Sequence, residues 1–165
     1  MVKEEYDVEK ELKEWLKGAG RVVVAGIGNP IRMDDFVGVK IVRDLRGKVD
    51  ADRVMLIEAE TIPEDHLQEI VDFKPTHMLL IDAAKLGLKA GEARLVKPEK
   101  LTAIPAYSTH MLPLRIFCEY LDKTAKTEIA LLLIEPKKTD FGEKITKNAQ
   151  VVSTKMAAIL IEILS

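Results

Sequence analysis

The chain has 165 residues, 47% of them apolar, with 25 basic against 27 acidic side chains and a formal net charge of −2. That length and composition suit one globular domain burying roughly two-thirds of its unfolded surface, and the near-neutral balance offers no global field to attract nucleic acid or an anionic membrane. A lone cysteine, Cys118, excludes an internal disulfide framework and a cysteine-based zinc site.

In chain order, Met1–Tyr6 lacks the apolar stretch of a signal peptide, and no later apolar run approaches the ~20 residues of a membrane span. A cytoplasmic protein without membrane insertion is expected. Val8, Leu12, Trp15 and Leu16 then fall at helical spacing before Gly18 and Gly20, so residues 1–20 read as an amphipathic N-terminal helix extension. A first strand spans about residues 21–27. Val37, Ile41 and Leu45 mark the face of a helix that Gly47 stops, and residues 53–58 form a second strand. Thr61 with Glu64 resembles a capping box opening a helix that turns Leu67, Ile70 and Val71 inward. Residues 77–82 are nearly all apolar, as in a strand buried on both faces.

Lys85 to Gly91 reads as a turn region and Glu92 to Lys97 as a short alternating strand. Residues 111–123 form a helix whose first turn tolerates Pro113, and Cys118 shares its apolar face with Leu114, Phe117 and Leu121. Glu128 to Glu135 is a further apolar strand. Val152, Met156, Ile159, Leu160 and Ile163 stripe a long C-terminal helix. The alternation predicts a single α/β domain over 1–165, a three-layer α/β/α arrangement. Its sheet would be twisted, mostly parallel and of about five strands, with helices on both faces. Such sheets place ligands beyond the carboxyl ends of their strands, near the switch in strand order. The loops after Ile27, Ile81 and Glu135 are therefore the ones to inspect.

The first of these carries Gly26-Ile27-Gly28-Asn29-Pro30-Ile31-Arg32-Met33-Asp34-Asp35-Phe36-Val37-Gly38. Ile31 stands where a dinucleotide fingerprint needs its third glycine, and no Gly-Lys-Ser/Thr follows. The acidic pair also puts negative charge where a phosphate would sit. One aspartate suffices to cap the following helix, which leaves the other free to face the crevice. Asp82 ends the most apolar strand, an unfavourable place for an aspartate unless it has work to do. Of the histidines, His66 and His77 read as surface and structural, whereas His110 lies in the polar connection Tyr107-Ser108-Thr109-His110-Met111. Asp35, Asp82 and His110 together suit a divalent metal of intermediate hardness. The zinc-protease signature H-E-x-x-H, the paired D-T/S-G motifs of pepsin-like proteases and the G-x-S-x-G elbow are all absent. Physical reading of the residues stops at a metal-binding α/β protein.

Beyond that point the motifs resemble a family, the maturation endopeptidases of nickel–iron hydrogenases. "GIGNPIRMDDFVGV" is similar to the family's first motif, G-x-G-N followed by D-D-G-x-G, and "FKPTHMLLIDAAKLGLKAGEARLV" to its central strand and hairpin. "STHMLPL" is similar to the histidine motif of the hydrogenase-3 type, and "LLLIEP" to its late strand. The resemblance spans nearly the whole chain after residue 20. It implies an aspartic-type endopeptidase that activates another enzyme, removing the C-terminal extension of a hydrogenase large-subunit precursor after nickel insertion.

The family's metal-binding positions carry over to Asp35, Asp82 and His110, which would engage a nickel ion supplied by the substrate and take part in catalysis. Gly26, Gly28 and Asn29 would position the docked chain. Phe36 departs from the pattern, because many members have glycine there. "GIGNP" also resembles the opening of bacterial peptidyl-tRNA hydrolases, although Met33-Asp34-Asp35 stands where those have a histidine-bearing segment. A non-catalytic nickel carrier would need the same three ligands.

Overall fold

The computed structural model describes residues 5–60, 63–103 and 111–165. Five strands form one sheet: β1 (Val22–Ile27), β2 (Val54–Ala59), β3 (His77–Ala83), β4 (Ala93–Val96) and β5 (Glu128–Ile134). Their order is β2-β1-β3-β5-β4, with β4 alone antiparallel, against β5. This is the mostly parallel sheet expected from the alternation of elements.

The pleat divides the core into two faces. Val22, Val24, Leu79, Ile81, Leu132 and Ile134 point one way and pack under α1 (Val8–Leu16), α2 (Val37–Leu45) and α5 (Lys147–Leu164). Val23, Ala25, Met78, Leu80, Leu131 and Leu133 point the other way, under α3 (Leu67–Phe73) and α4 (Met111–Ala125). Every residue of β1 is buried, which is why this strand reads as a continuous apolar run. Each of its valines and Ile27 stabilises the fold by roughly 1.5–3 kcal/mol relative to exposure. Cys118 is 1% exposed within the second face, a core position as expected.

The N-terminal segment protects the β4 edge. Asp7 caps α1 by accepting from the Lys10 amide at 3.1 Å, and the Tyr6 hydroxyl accepts from the Leu95 amide at 2.8 Å. An edge strand left open would invite pairing with another chain. At the amino end of β3, His77 is buried between Thr76, Glu128 and the edge of Trp15, confirming a structural role. His66 is partly exposed beside Glu69.

Two local expectations change. The chain enters α2 through a 3₁₀ turn, Met33–Phe36, and neither that turn nor α2 has a side-chain cap. The aspartate expected to cap α2 is used elsewhere, because Asp34 and Asp35 both turn back to loops. Thr61 lies outside the described residues, and Glu64 opens a 3₁₀ turn, Glu64–His66, ahead of α3.

Candidate active site

From β1 the chain crosses to β2 on one side, then returns past β1 to β3 on the other. The gap beyond the carboxyl ends of β1 and β3 is therefore the switch point of the sheet, where open α/β sheets leave a crevice. The β1–β3 register pairs Gly26 with Ile81, so the end of β1 at Ile27 lies beside Asp82, one residue before β3 ends. Asp35 leaves the loop after β1, and Asp82 sits on β3.

Three glycines let these segments meet. A Cβ on Gly38 would stand 2.1 Å from the Ile81 carbonyl oxygen and 2.7 Å from that of Ile27. α2 thus begins with its main chain pressed onto the ends of both central strands. A Cβ on Gly28 would likewise fall 2.3 Å from the Asp35 carbonyl oxygen, and one on Gly26 2.3 Å from that of Gly38. At these positions only glycine fits, and the close approach it permits is to the protein's own main chain.

Asp35 is oriented by this loop, its Oδ2 accepting from the Asn29 amide at 3.0 Å. Asn29 in turn uses its Oδ1 to accept from the Ile31 amide at 3.1 Å, a side-chain turn that holds the strand exit. Phe36 does not disturb the arrangement. Its backbone is ordinary right-handed helical, and its ring lies under the Arg43 guanidinium at 4.9 Å. Arg43 and Arg46 both reach Glu58 at the end of β2. Burial alone would raise the Glu58 carboxyl, but the two guanidinium groups outweigh it and hold the group below its usual range.

Asp82 is 2% exposed. Burial, and then the nearby charge of Asp35, push its carboxyl well above the usual aspartate range, against a 2.8 Å hydrogen bond from the Ala83 amide to Oδ1. A buried Asp82 carboxyl facing the charge of Asp35 forms a site that gains from a cation. Their oxygens suit a divalent ion, with a nitrogen donor still needed to match the expected set. His110, the expected donor, lies outside the described residues. Among the described residues no group of three His, Cys, Asp or Glu side chains forms a metal cluster.

Two buried acids whose roles the sequence reading did not give, Asp34 of the acidic pair and Glu135, support these groups. Asp34 Oδ2 accepts from the amides of Lys137 and Lys138 and from the Thr146 hydroxyl, while Oδ1 accepts from the Thr146 amide. Glu135 Oε1 accepts from the amides of Leu86 and Leu88 at 2.8 and 2.7 Å, pinning the connection that follows Asp82. The signal available in sequence was the acidic pair itself and a glutamate ending an apolar strand.

A family model described as hydrogenase maturation protease (HycI) matches residues 39–163. The hydrogenase 3 maturation protease of Escherichia coli K12 is 27% identical over 125 residues, covering 76% of this chain and 79% of that one. A Methanocaldococcus jannaschii relative, provisionally named a hydrogenase maturation protease, is 33% identical over 164 residues, 95% of this chain and 96% of its own. The crystal structure of a [NiFe] hydrogenase maturation protease from Thermococcus kodakarensis superposes with a TM-score of 0.85 at 32% identity, covering 93% of this chain and 98% of that one. The chain belongs to the hydrogenase maturation protease family.

Proposed function

We propose that the protein is an endopeptidase that removes the C-terminal extension of a nickel–iron hydrogenase large-subunit precursor once nickel has been inserted. The observation that carries this reading is the pair Asp35 and Asp82 at the switch point, one held by the Asn29 amide and the other deeply buried. Family membership supplies the reaction class, and the two carboxylates supply a site that a substrate-borne cation would complete.

In this reading Asp35, Asp82 and His110 engage the nickel ion of the docked precursor. Bound there, the ion supplies Lewis-acid chemistry beside the scissile bond. Asp35 presents a fixed oxygen, and relief of the Asp35–Asp82 repulsion makes docking of a loaded precursor more favourable than docking of an empty one. A carboxylate oxygen of Asp35 or Asp82 that does not bind the metal accepts the proton of the attacking water. Gly26 and Gly28 act through placement of the Asp35 loop, and Asn29 holds the carboxylate itself.

The test is incubation of purified protein with nickel-loaded precursor, read by mass spectrometry as loss of the C-terminal tail. Processing is expected with nickel-loaded precursor, but not with metal-free precursor or with the Asp35→Ala, Asp82→Ala or His110→Ala variants. Cleavage of metal-free precursor would remove nickel from the recognition step. Nickel transfer without tail release would make the protein a carrier. Release of peptide and free tRNA from peptidyl-tRNA would favour the hydrolase that shares the Gly-Ile-Gly-Asn-Pro opening.

A further inference from the structure

We infer that the groove between β4 and α5 is a binding site for an acidic, extended peptide segment. The groove has a volume of ≈ 720 Å³. Lys147, Val151 and Lys155 recur every fourth residue along α5 and form one wall. Lys89, Arg94 and Lys137 also line the groove. Val152 and Met156, both buried in the core, line it too, and Val151 is 61% exposed.

Charge selects the occupant. Five cations line the groove against two carboxylates, Glu5 and Glu92, in a chain whose formal net charge is −2. Glu92 already accepts from the Lys89 amide. None of the five cations takes part in an ion pair among the described residues, whereas Lys13, Lys40, Arg43, Arg46 and Arg115 elsewhere on the surface all do. Four lysines without an ion partner among the described residues, an Arg94 stacked at 4.4 Å on the Tyr6 ring, and the exposed Val151 match a peptide that alternates carboxylates with apolar side chains.

The groove starts beside the candidate active site. The Lys137 amide donates to Asp34 at 2.9 Å, and Lys147 directly follows Thr146, whose hydroxyl donates to the same carboxylate at 2.7 Å. Asp34 adjoins Asp35. A chain engaged at Asp35 and Asp82 can therefore continue along α5, and we assign the groove to a segment of the precursor. That assignment rests on the processing reading, but binding of an acidic peptide does not.

The probe is a fluorescein-labelled ten-residue peptide of alternating Glu and Leu, followed by fluorescence anisotropy at low salt. A peptide with Gln in place of Glu and a ten-nucleotide single-stranded DNA serve as comparisons. The acidic peptide is expected to bind at least about tenfold more tightly than either, and to weaken with added salt. Lys147→Glu with Lys155→Glu should reduce its affinity by at least about tenfold while leaving the circular dichroism unchanged. Equal binding of the Glu and Gln peptides, no effect of the charge reversals, or tighter binding of the DNA would overturn the proposal. In precursor processing the same double variant should raise KM with kcat retained. Unchanged KM would detach the groove from the precursor, and absence of processing by the unaltered protein would overturn the protease reading without touching the peptide result.

Discussion

Asp34 and Thr146 are joined twice, the Thr146 amide donating to one carboxylate oxygen at 2.7 Å and its hydroxyl to the other at 2.7 Å, across 112 residues of chain. Thr146 is the N-cap of α5, and its hydroxyl oxygen also accepts from the Ala149 amide. One buried carboxylate thereby ties the loop carrying Asp35 to the start of the longest helix. Asp34→Ala removes an acceptor shared by three amides and a hydroxyl, and should cost about 2–4 kcal/mol. Asp34→Asn, which keeps one oxygen, should cost less. Urea denaturation checks both, and a loss below about 1 kcal/mol for the alanine variant would show that these donors find other partners.

Gly38 should tolerate no side chain. The nearest atom to an added Cβ is the Ile81 carbonyl oxygen at 2.1 Å, and main chain cannot rotate away as a side chain can. Gly38→Ala should therefore cost at least about 3 kcal/mol, the upper range for overpacking. It should also abolish processing by moving α2 off the ends of β1 and β3. Gly142→Ala is the contrast, because its Cβ would meet only the Met33 side chain, at 3.0 Å. Similar melting temperatures for the two variants would contradict this account of the strand–helix contact.

The parts of the site legible in sequence are those marked by residue type at a predictable place. Asp82 stands out because an aspartate ends an otherwise apolar strand, and Asp35 because a carboxylate follows a glycine-rich strand exit. The strand order itself was not legible, yet the rule about carboxyl ends pointed to the candidate site without it. Asp34 and Glu135 escaped because their partners are main-chain amides up to 112 and 49 residues away. Such amides carry no signature in the sequence. The same holds for Gly38, since nothing about a glycine in the first turn of a helix says which carbonyl presses on it.

Cys118 should be inert in the folded protein. Burial, with a smaller contribution from Glu119, pushes its thiol up to about 12 from 9.0. That leaves about a thousandfold less thiolate at pH 8 than in the unfolded chain. Alkylation by iodoacetamide at pH 8 should be slower by at least that factor than in urea. The sign for stability follows: the folded state keeps a proton that the unfolded state loses between about pH 9 and 12, so stability falls as pH rises through that range. Comparable labelling of folded and unfolded protein would place the thiol in solvent.

Glu135 should control the chain segment next to Asp82. Its Oε1 holds the Leu86 and Leu88 amides, its own amide donates to the Glu92 carbonyl at 2.9 Å, and its carbonyl accepts from Gly91 at 2.9 Å. The side chain is 7% exposed, so its two amide partners would lose a buried acceptor in Glu135→Ala. Hydrogen exchange at Leu86 and Leu88 should then quicken by about tenfold or more, corresponding to local opening easier by about 1.4 kcal/mol. The Ala84 amide, which donates to the Ile134 carbonyl at 3.0 Å, should change far less. Because Asp82 precedes this connection on β3, the variant should also slow processing of nickel-loaded precursor. Glu135→Gln keeps an acceptor oxygen and should restore most of both properties. Equal exchange at all three amides in Glu135→Ala would mean that the strand end, rather than this carboxylate, holds the segment.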